Sequence, residues 1–358
     1  MRPVVAIDEL RQRFRDFSAT TAARAPLYSR LSAGIAEDAE LAGLLQAAPP
    51  EQQIPVLLFA AVHFLLLGGR GAALAAHYPN LAAVPLDDDP MPALRTFARE
   101  HGDELRDLIA ARSTQTNEVG RCAQFLPAFG MLTEEVGPLA HLDVGCSAGL
   151  NLLWPLYGYE YLPGGTVGGP SPVQLSCATR GAPPVPLAMP IVARSLGIDL
   201  KPIAIDDDDA VRWLEACVWP DQADRFQRLV AAVALGREHP PEVRGGDAIA
   251  DAGDAVRELS HSGHPVITTS WVLSYLTTEQ RVAFVDALDE AGRSCDLSWI
   301  VAESPAQTPG LPVPTTDPAE QLTVVALATW RRGRRTVTRL ASSHPHGFWL
   351  HWEGAAGQ

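Results

Sequence analysis

Leu142-Asp143-Val144-Gly145-Cys146-Ser147-Ala148-Gly149-Leu150-Asn151-Leu152-Leu153 decides how the rest of the chain reads. An apolar strand runs into a turn of small residues and then into a helical pattern. Small side chains let the backbone approach a ligand, and a helix that starts there offers N–H groups. Toward the carboxyl end, short strand candidates recur at residues 195–200, 242–244, 265–269 and 297–302, with helical patterns at 210–235 and 278–291 between them. That alternation builds a parallel sheet with crossover helices. Residues 323–329 and 335–340 flank Arg331-Arg332-Gly333-Arg334 and read as an antiparallel pair around a turn. The Gly/Pro-rich stretch 158–190 is too long for a usual connection; it reads as an inserted hairpin or loop with a strand at 173–177.

Toward the amino end the pattern changes. Leu41, Leu44, Leu45, Ile54, Leu57, Leu58, Val62, Leu65 and Leu66 recur at helical spacing, broken at Pro49-Pro50, Gly68-Gly69 and Asp87-Asp88-Asp89-Pro90. The expected organisation is therefore a helical cap or substrate domain, residues 1–130, followed by an α/β domain, residues 131–358.

Composition narrows the functional classes. Lys and Arg number 28 against 42 Asp and Glu, a formal net charge of −14, which disfavours a nucleic acid partner and anchoring on anionic lipid. The longest early apolar stretch, 54–69, is shorter than the roughly 20 residues that span a bilayer and contains His63, so it reads as a buried helix holding a core histidine. Asp8 and Glu9 stand where a signal peptide needs an apolar run. Cys122, Cys146, Cys177, Cys217 and Cys295 lie far apart with no C-x-x-C pair, the pattern of a reduced cytoplasmic protein without structural zinc. His344, His346 and His351 near the end of the chain suggest solvent-facing positions rather than a metal site.

The turn itself admits different chemistries. Gly145-Cys146-Ser147-Ala148-Gly149 fits the G-x-S-x-G elbow of a serine hydrolase, with Asp247 and His264, His344 or His346 as partners to Ser147. As a dinucleotide fingerprint it is weak, because Ser147 replaces the middle glycine and the third glycine is misplaced. Asp143, Val144, Gly145, Ser147 and Gly149 also resemble the cofactor loop of class I S-adenosylmethionine-dependent methyltransferases: an acid, a hydrophobic residue, then G-x-G-x-G with one Gly-to-Ser departure. The acid two residues before the first glycine tips the balance, since a hydrolase elbow follows an uninterrupted apolar strand.

Further motifs carry a closer resemblance. Gln115-Thr116-Asn117-Glu118-Val119-Gly120-Arg121, residues 145–152 and 197–202, and Trp213-Leu214 with Val218-Trp219-Pro220 resemble the largely actinobacterial family catalogued as domain of unknown function 2332. Together the resemblances imply a Rossmann-like methyltransferase sheet, mostly parallel with an antiparallel last strand, behind the helical domain. They imply S-adenosyl-L-methionine as cofactor, held by Asn117, Arg121, Asp143, Gly145, Ser147, Gly149, Asn151, Asp199, Asp247, Ala248 and Ser270, with Trp271, Tyr275 and Glu303 lining a small-molecule acceptor site. Asp199, or Glu160 as its rival, is the ribose acid, and Asp247 meets the adenine. Asn117 and Arg121 at i and i+4 share a helix face; Arg121 holds a cofactor or substrate carboxylate, or else the segment is a capped helix start with surface charges. Trp271 and Tyr275 share another helix face. The fourth strand lacks the D/N/S-P-P-Y/F/W motif of amide and nucleobase N-methylation and the Pro-Cys nucleophile of cytosine chemistry. The expected function is O- or carboxyl-methylation of a small molecule, the alternatives being the serine hydrolase and a non-catalytic cofactor-binding protein.

Overall fold

The computed structural model describes residues 5–307 and 322–354. The chain divides into a unit made of Met1–Thr116 and Asp206–Val230 and a second made of Asn117–Ile205 and Ala231–Gln358. The division thus falls before residue 117, whereas the composition change suggested residue 130. Residue 130 lies inside a helix of the second unit, Cys122–Val136.

In the first unit, α1 (Ile7–Thr21), α2 (Pro26–Ala36), α3 (Ala39–Gly43), α4 (Pro55–Leu67), α5 (Ala72–Ala75) and α6 (Met91–Ala111) enclose a core of aromatic and aliphatic side chains. α7 (Cys122–Val136) belongs to the second unit, and α8 (Asp208–Ala216) returns to the first, adding Trp213 and Ala216 to that core. α4 starts with Pro55 in its first turn, where no N–H is needed, and stops at Gly68. It is buried on nearly all sides, which explains its unpatterned apolar sequence. His63 lies inside it with Nδ1 3.1 Å from Ala216 O and Nε2 2.9 Å from Asn80 Nδ2; burial lowers its pKa to about 4, so it is a neutral core histidine. The helical pattern at 210–235 resolves into α8 and α9 (Ala223–Glu238), interrupted around Pro220.

The second unit is α/β, built on a mixed sheet that has eleven strands among the described residues. Its strands are β1 (Leu139–Val144), β2 (Gly158–Leu162), β3 (Gly165–Val167), β4 (Gln174–Arg180), β5 (Val192–Asp199), β6 (Val243–Gly245), β7 (His264–Ser270), β8 (Leu297–Glu303), β9 (Thr323–Arg331), β10 (Arg334–Ser343) and β11 (Trp349–Trp352), in the spatial order β3-β2-β4-β11-β10-β9-β8-β7-β1-β5-β6. The run β6-β5-β1-β7-β8 is parallel throughout. β9 pairs antiparallel with β8 and β10 antiparallel with β9, as the turn at Arg331–Arg334 suggested. The 158–190 insertion does more than form a hairpin: β2 and β3 are one, but β4 pairs in parallel with β2 and with β11, so the insertion lengthens the sheet.

Period-2 alternation sorts the central strands. Leu142, Val144, Ile198, Ile267, Trp299 and Val301 face α10 (Ala248–Leu259) and α11 (Thr278–Ser294), where Phe284 meets Trp299 edge-on. His141 points the other way, with Phe129 of α7 and Trp154 beside it. Phe129 and Trp154 stack at 4.3 Å between centroids. Strand order reverses at β1, so the carboxyl ends of β1, β5 and β7 form the switch point at which sheets of this kind bind ligands.

Candidate ligand site at the carboxyl ends of the parallel strands

β1 leads into a turn with positive φ at Gly145 (74°), Ser147 (56°) and Gly149 (73°). A Cβ on Gly145 would run into Val272, and one on Gly149 into Val243 and Pro241. Gly149→Val joins a β-branched side chain at positive φ to overpacking, and is expected to cost about 2–4 kcal/mol in a denaturant melt. A loss below about 0.5 kcal/mol would mean that the turn relaxes freely.

Four backbone donors of this turn are engaged within the protein. Gly145 N–H donates to Ile198 O (2.8 Å), Ser147 N–H to Asp199 Oδ2 (2.8 Å), Gly149 N–H to Cys146 O (2.8 Å) and Leu150 N–H to Asn117 Oδ1 (3.0 Å). The segment after the turn is a 3₁₀ stretch, Leu150–Leu156, containing Pro155, where the sequence suggested a helix with open N–H groups. A phosphate cradle needs such groups free. With these four donors engaged, the turn has acids as its neighbours, Asp199 among them. Asp199 Oδ1 also accepts Lys201 N–H at 2.8 Å, which fixes this carboxylate against the turn. Its rival, Glu160, sits on β2 toward the far edge of the sheet and accepts from Ser176 Oγ at 3.1 Å.

Two acids are fully buried here. Asp143 Oδ1 accepts Thr268 Oγ1–H at 2.7 Å, and Thr268 Oγ1 lies 2.8 Å from His141 Nε2. Asp143 Oδ2 has no protein partner. Burial pushes Asp143 up to about 7, opposed by the Thr268 hydrogen bond and reinforced by the charge of Asp199. Glu303, at the end of β8, accepts Val272 N–H at 3.0 Å through Oε1 and leaves Oε2 without a partner; burial pushes it up to about 8. Arg121 is 9% exposed, donates from Nη1 to Ser270 O (3.0 Å) and from Nε to Pro345 O (2.9 Å), and its charge favours ionisation of both acids. Ser147 Oγ and Ser270 Oγ are likewise buried without partners.

Other expectations change in detail. Asn117 and Arg121 do not share a helix face: Glu118 caps a 3₁₀ turn at Val119–Arg121, Asn117 reaches the Gly149–Leu150 backbone and Arg121 reaches β7. Asn151 is buried, with Oδ1 3.6 Å from Cys122 Sγ. Asp247 is the N-cap of α10, accepting Ile249 and Ala250 N–H, and Ala248 is the first residue of that helix. Trp271 and Tyr275 do not lie on one helix either. Trp271 has φ 58°, Tyr275 ends a 3₁₀ turn, and Tyr275 is 77% exposed. Positive φ is costly for so bulky a residue; Trp271 is pinned by N–H to Ala302 O (3.0 Å), Nε1–H to Thr323 Oγ1 (2.8 Å) and the Arg121 guanidinium 6.0 Å from its ring.

The hydrolase partners are not assembled. His264 is the first residue of β7, at the opposite end of the parallel strands from Ser147, with Nε2 on Ser298 Oγ at 2.9 Å. His344 and His346 lie in the β10–β11 turn, His346 Nδ1 being 3.5 Å from Glu118 Oε2. Among the described residues no cluster of three or more His, Cys, Asp or Glu is arranged to hold a metal. The His141–Thr268–Asp143 chain was not anticipated; its one visible signal is that His141 and Asp143 are two apart on a strand and so share a face.

Fold and site together define an α/β protein with a doubly wound parallel centre and an acid-flanked glycine turn at its switch point. The chain belongs to the bacterial family described as "Uncharacterized protein conserved in bacteria (DUF2332)", which it matches over residues 11–352. No curated protein matches it.

Proposed function

We propose that the protein is an S-adenosylmethionine-dependent methyltransferase acting on a small-molecule acceptor by O- or carboxyl-methylation. The observation that carries this reading is the turn at the switch point, where the N–H groups of Gly145, Ser147, Gly149 and Leu150 are engaged within the protein while Asp143 and Asp199 stand beside it. A site poor in anion donors and rich in carboxyl groups suits a cationic ligand. The unpartnered Asp143 Oδ2, Ser147 Oγ and Ser270 Oγ fit a polar ligand bound there. The strand order β6-β5-β1-β7-β8, with Asp199 ending the second parallel strand of the chain, supports a Rossmann-like methyltransferase sheet.

When bound, the cofactor supplies a methyl group on a sulfonium, displaced in line by the acceptor. Asp143 and Asp199 would balance its positive charge. Asp247 and Ala248, at the start of α10, would meet the base, and Ser270, Trp271 and Glu303 the acceptor side. The strained Trp271 backbone, with its N–H on Ala302 O and the next N–H, that of Val272, on Glu303 Oε1, keeps that wall fixed before the acceptor arrives. All five cysteines are free thiols, in keeping with a cytoplasmic setting. No helix among the described residues is long and apolar enough to cross a membrane.

Calorimetric titration and thermal melts with S-adenosylmethionine and S-adenosylhomocysteine test the proposal, with micromolar binding and a rise in Tm expected for both. No heat and no shift at millimolar ligand would sink it. The positive φ of Ser147 favours one rival, the strained serine elbow. Covalent labelling of Ser147 by a fluorophosphonate would promote that rival, and binding without methyl transfer to any acceptor would leave a cofactor-binding protein.

A further inference from the structure

We propose that Asp143 is a switchable countercharge, carrying a proton on Oδ2 in the absence of a cation and releasing it to solvent when a sulfonium or ammonium group binds beside it. The inference rests on the cofactor reading for the identity of that cation. The hydrogen bonds assign the proton. Thr268 has one hydroxyl hydrogen, and the 2.7 Å contact is consistent with its donating to Asp143 Oδ1, the arrangement the proposal takes. Thr268 Oγ1 therefore accepts from His141, which makes His141 the neutral Nε2–H tautomer. Burial, which depresses His141 to about 3, keeps it neutral at any working pH. With Oδ1 committed as an acceptor, the exchangeable position is Oδ2, the atom left without a protein partner.

The charges around Asp143 are set against each other. Arg121 favours the anion, and Asp199 opposes it. Cys146 and Cys122 lie close enough to feel its charge, but burial raises both thiols, so they stay neutral. Desolvation outweighs these influences, and the acid titrates at about 7, within reach of a ligand's charge. A cation at 4–5 Å from Oδ2 favours the anion strongly at such a depth. Glu303 is a separate titration: it falls in the alternation of Trp299 and Val301, on the other face of the sheet. For a neutral or anionic ligand the same carboxyl offers no such gain, so Asp143 selects for positive charge.

The test is calorimetric titration of the intact protein with S-adenosylmethionine at pH 5.5–8 in phosphate and in Tris, whose ionisation enthalpies differ. Between pH 5.5 and 6.5 the wild type is expected to release about one proton more than Asp143→Asn does in the same buffers. Its affinity should rise up to tenfold per pH unit below about 7. Asp143→Asn keeps the oxygen that accepts from Thr268, and should bind more than tenfold weaker at pH 8 with a flatter pH profile. Thr268→Val removes the bond that stabilises the anion, and should move the midpoint of proton release to higher pH. Equal proton release by wild type and Asp143→Asn, or an unmoved midpoint in Thr268→Val, overturns the inference and leaves the cofactor reading intact. Absence of any binding by the wild type at millimolar cofactor overturns both.

Discussion

Between pH 6.5 and 8 the protein is expected to lose about 2 kcal/mol of stability, and Glu303→Gln is expected to remove most of that loss. Glu303 is raised to about 8 by burial, so the native state keeps a proton that the unfolded chain has released above its ordinary carboxyl pKa. Native binds more protons than unfolded across that window, so stability falls as pH rises, by up to about 1.4 kcal/mol per unit, until Glu303 itself ionises. Asp143 adds the same sign up to about pH 7. The buried histidines act oppositely at lower pH: His63 and His264 are lowered to about 4 and His141 to about 3, so their contribution is lost as pH falls below about 6.5. The two tendencies overlap between about pH 4 and 6.5, and the carboxyls stand alone above it. Gln retains the acceptor for Val272 N–H and cannot ionise. Urea melts at half-unit pH steps measure the difference between variant and wild type; parallel curves from pH 6.5 to 8 would show that Glu303 is ionised throughout.

Arg121→Ala is expected to destabilise the protein by about 3–5 kcal/mol at pH 8, and by markedly less at pH 5.5. Two kinds of loss combine. Ser270 O and Pro345 O each lose a charged donor in a buried setting, at both pH values. Only at the higher pH do Asp143 and Glu303 carry charge, and only then does the missing guanidinium leave them without their nearby cation. Arg121→Lys should recover the second loss better than the first, since one ammonium cannot span two carbonyls that the guanidinium reaches from separate nitrogens. Denaturant midpoints of the variants at the two pH values decide this. A cost for Arg121→Ala that does not change with pH would mean that its charge is not coupled to the acids.

The fold was more legible than the site. Strands at 141–144, 195–200, 265–269 and 297–302 could be read because a parallel sheet covered on both faces favours short apolar runs, and 242–244 because it falls in the same alternation with helical patterns. Which unit α7 joins is not written in its composition, because it is as apolar as helices of the first unit, and composition does not report which core a helix joins. The turn around Gly145 and the placement of Asp143 and Asp199 beside it were also legible, since glycine spacing and strand ends are local properties. What was hidden depended on contacts far apart in sequence. Asn117 caps a backbone N–H beyond β1, Arg121 bridges β7 and the turn before β11, and Thr268 joins His141 to Asp143. Helical spacing placed Asn117 with Arg121, and Trp271 with Tyr275, on common faces. The structure instead uses short 3₁₀ turns there, because tertiary bonds to Leu150, Ser270 and Glu303 outweigh weak local helix preference.

The parallel pairing of β11 with β4 constrains how the molecule is assembled. β11 lies between β10 and the strands of the 158–190 insertion, and it is the last strand of the sheet to leave the ribosome. Until residues 349–352 are in place, β2, β3 and β4 have no bridge to the rest of the sheet. Loop-closure entropy is then lost before those pairings can reward it. Synthesis that stalls before residue 349 would release a chain with its parallel centre formed and two naked sheet edges, one on β10 and one on β4. Such edges recruit other chains. A chain cut before residue 349 is therefore expected to aggregate more readily than one that carries β11, which light scattering of the two would show.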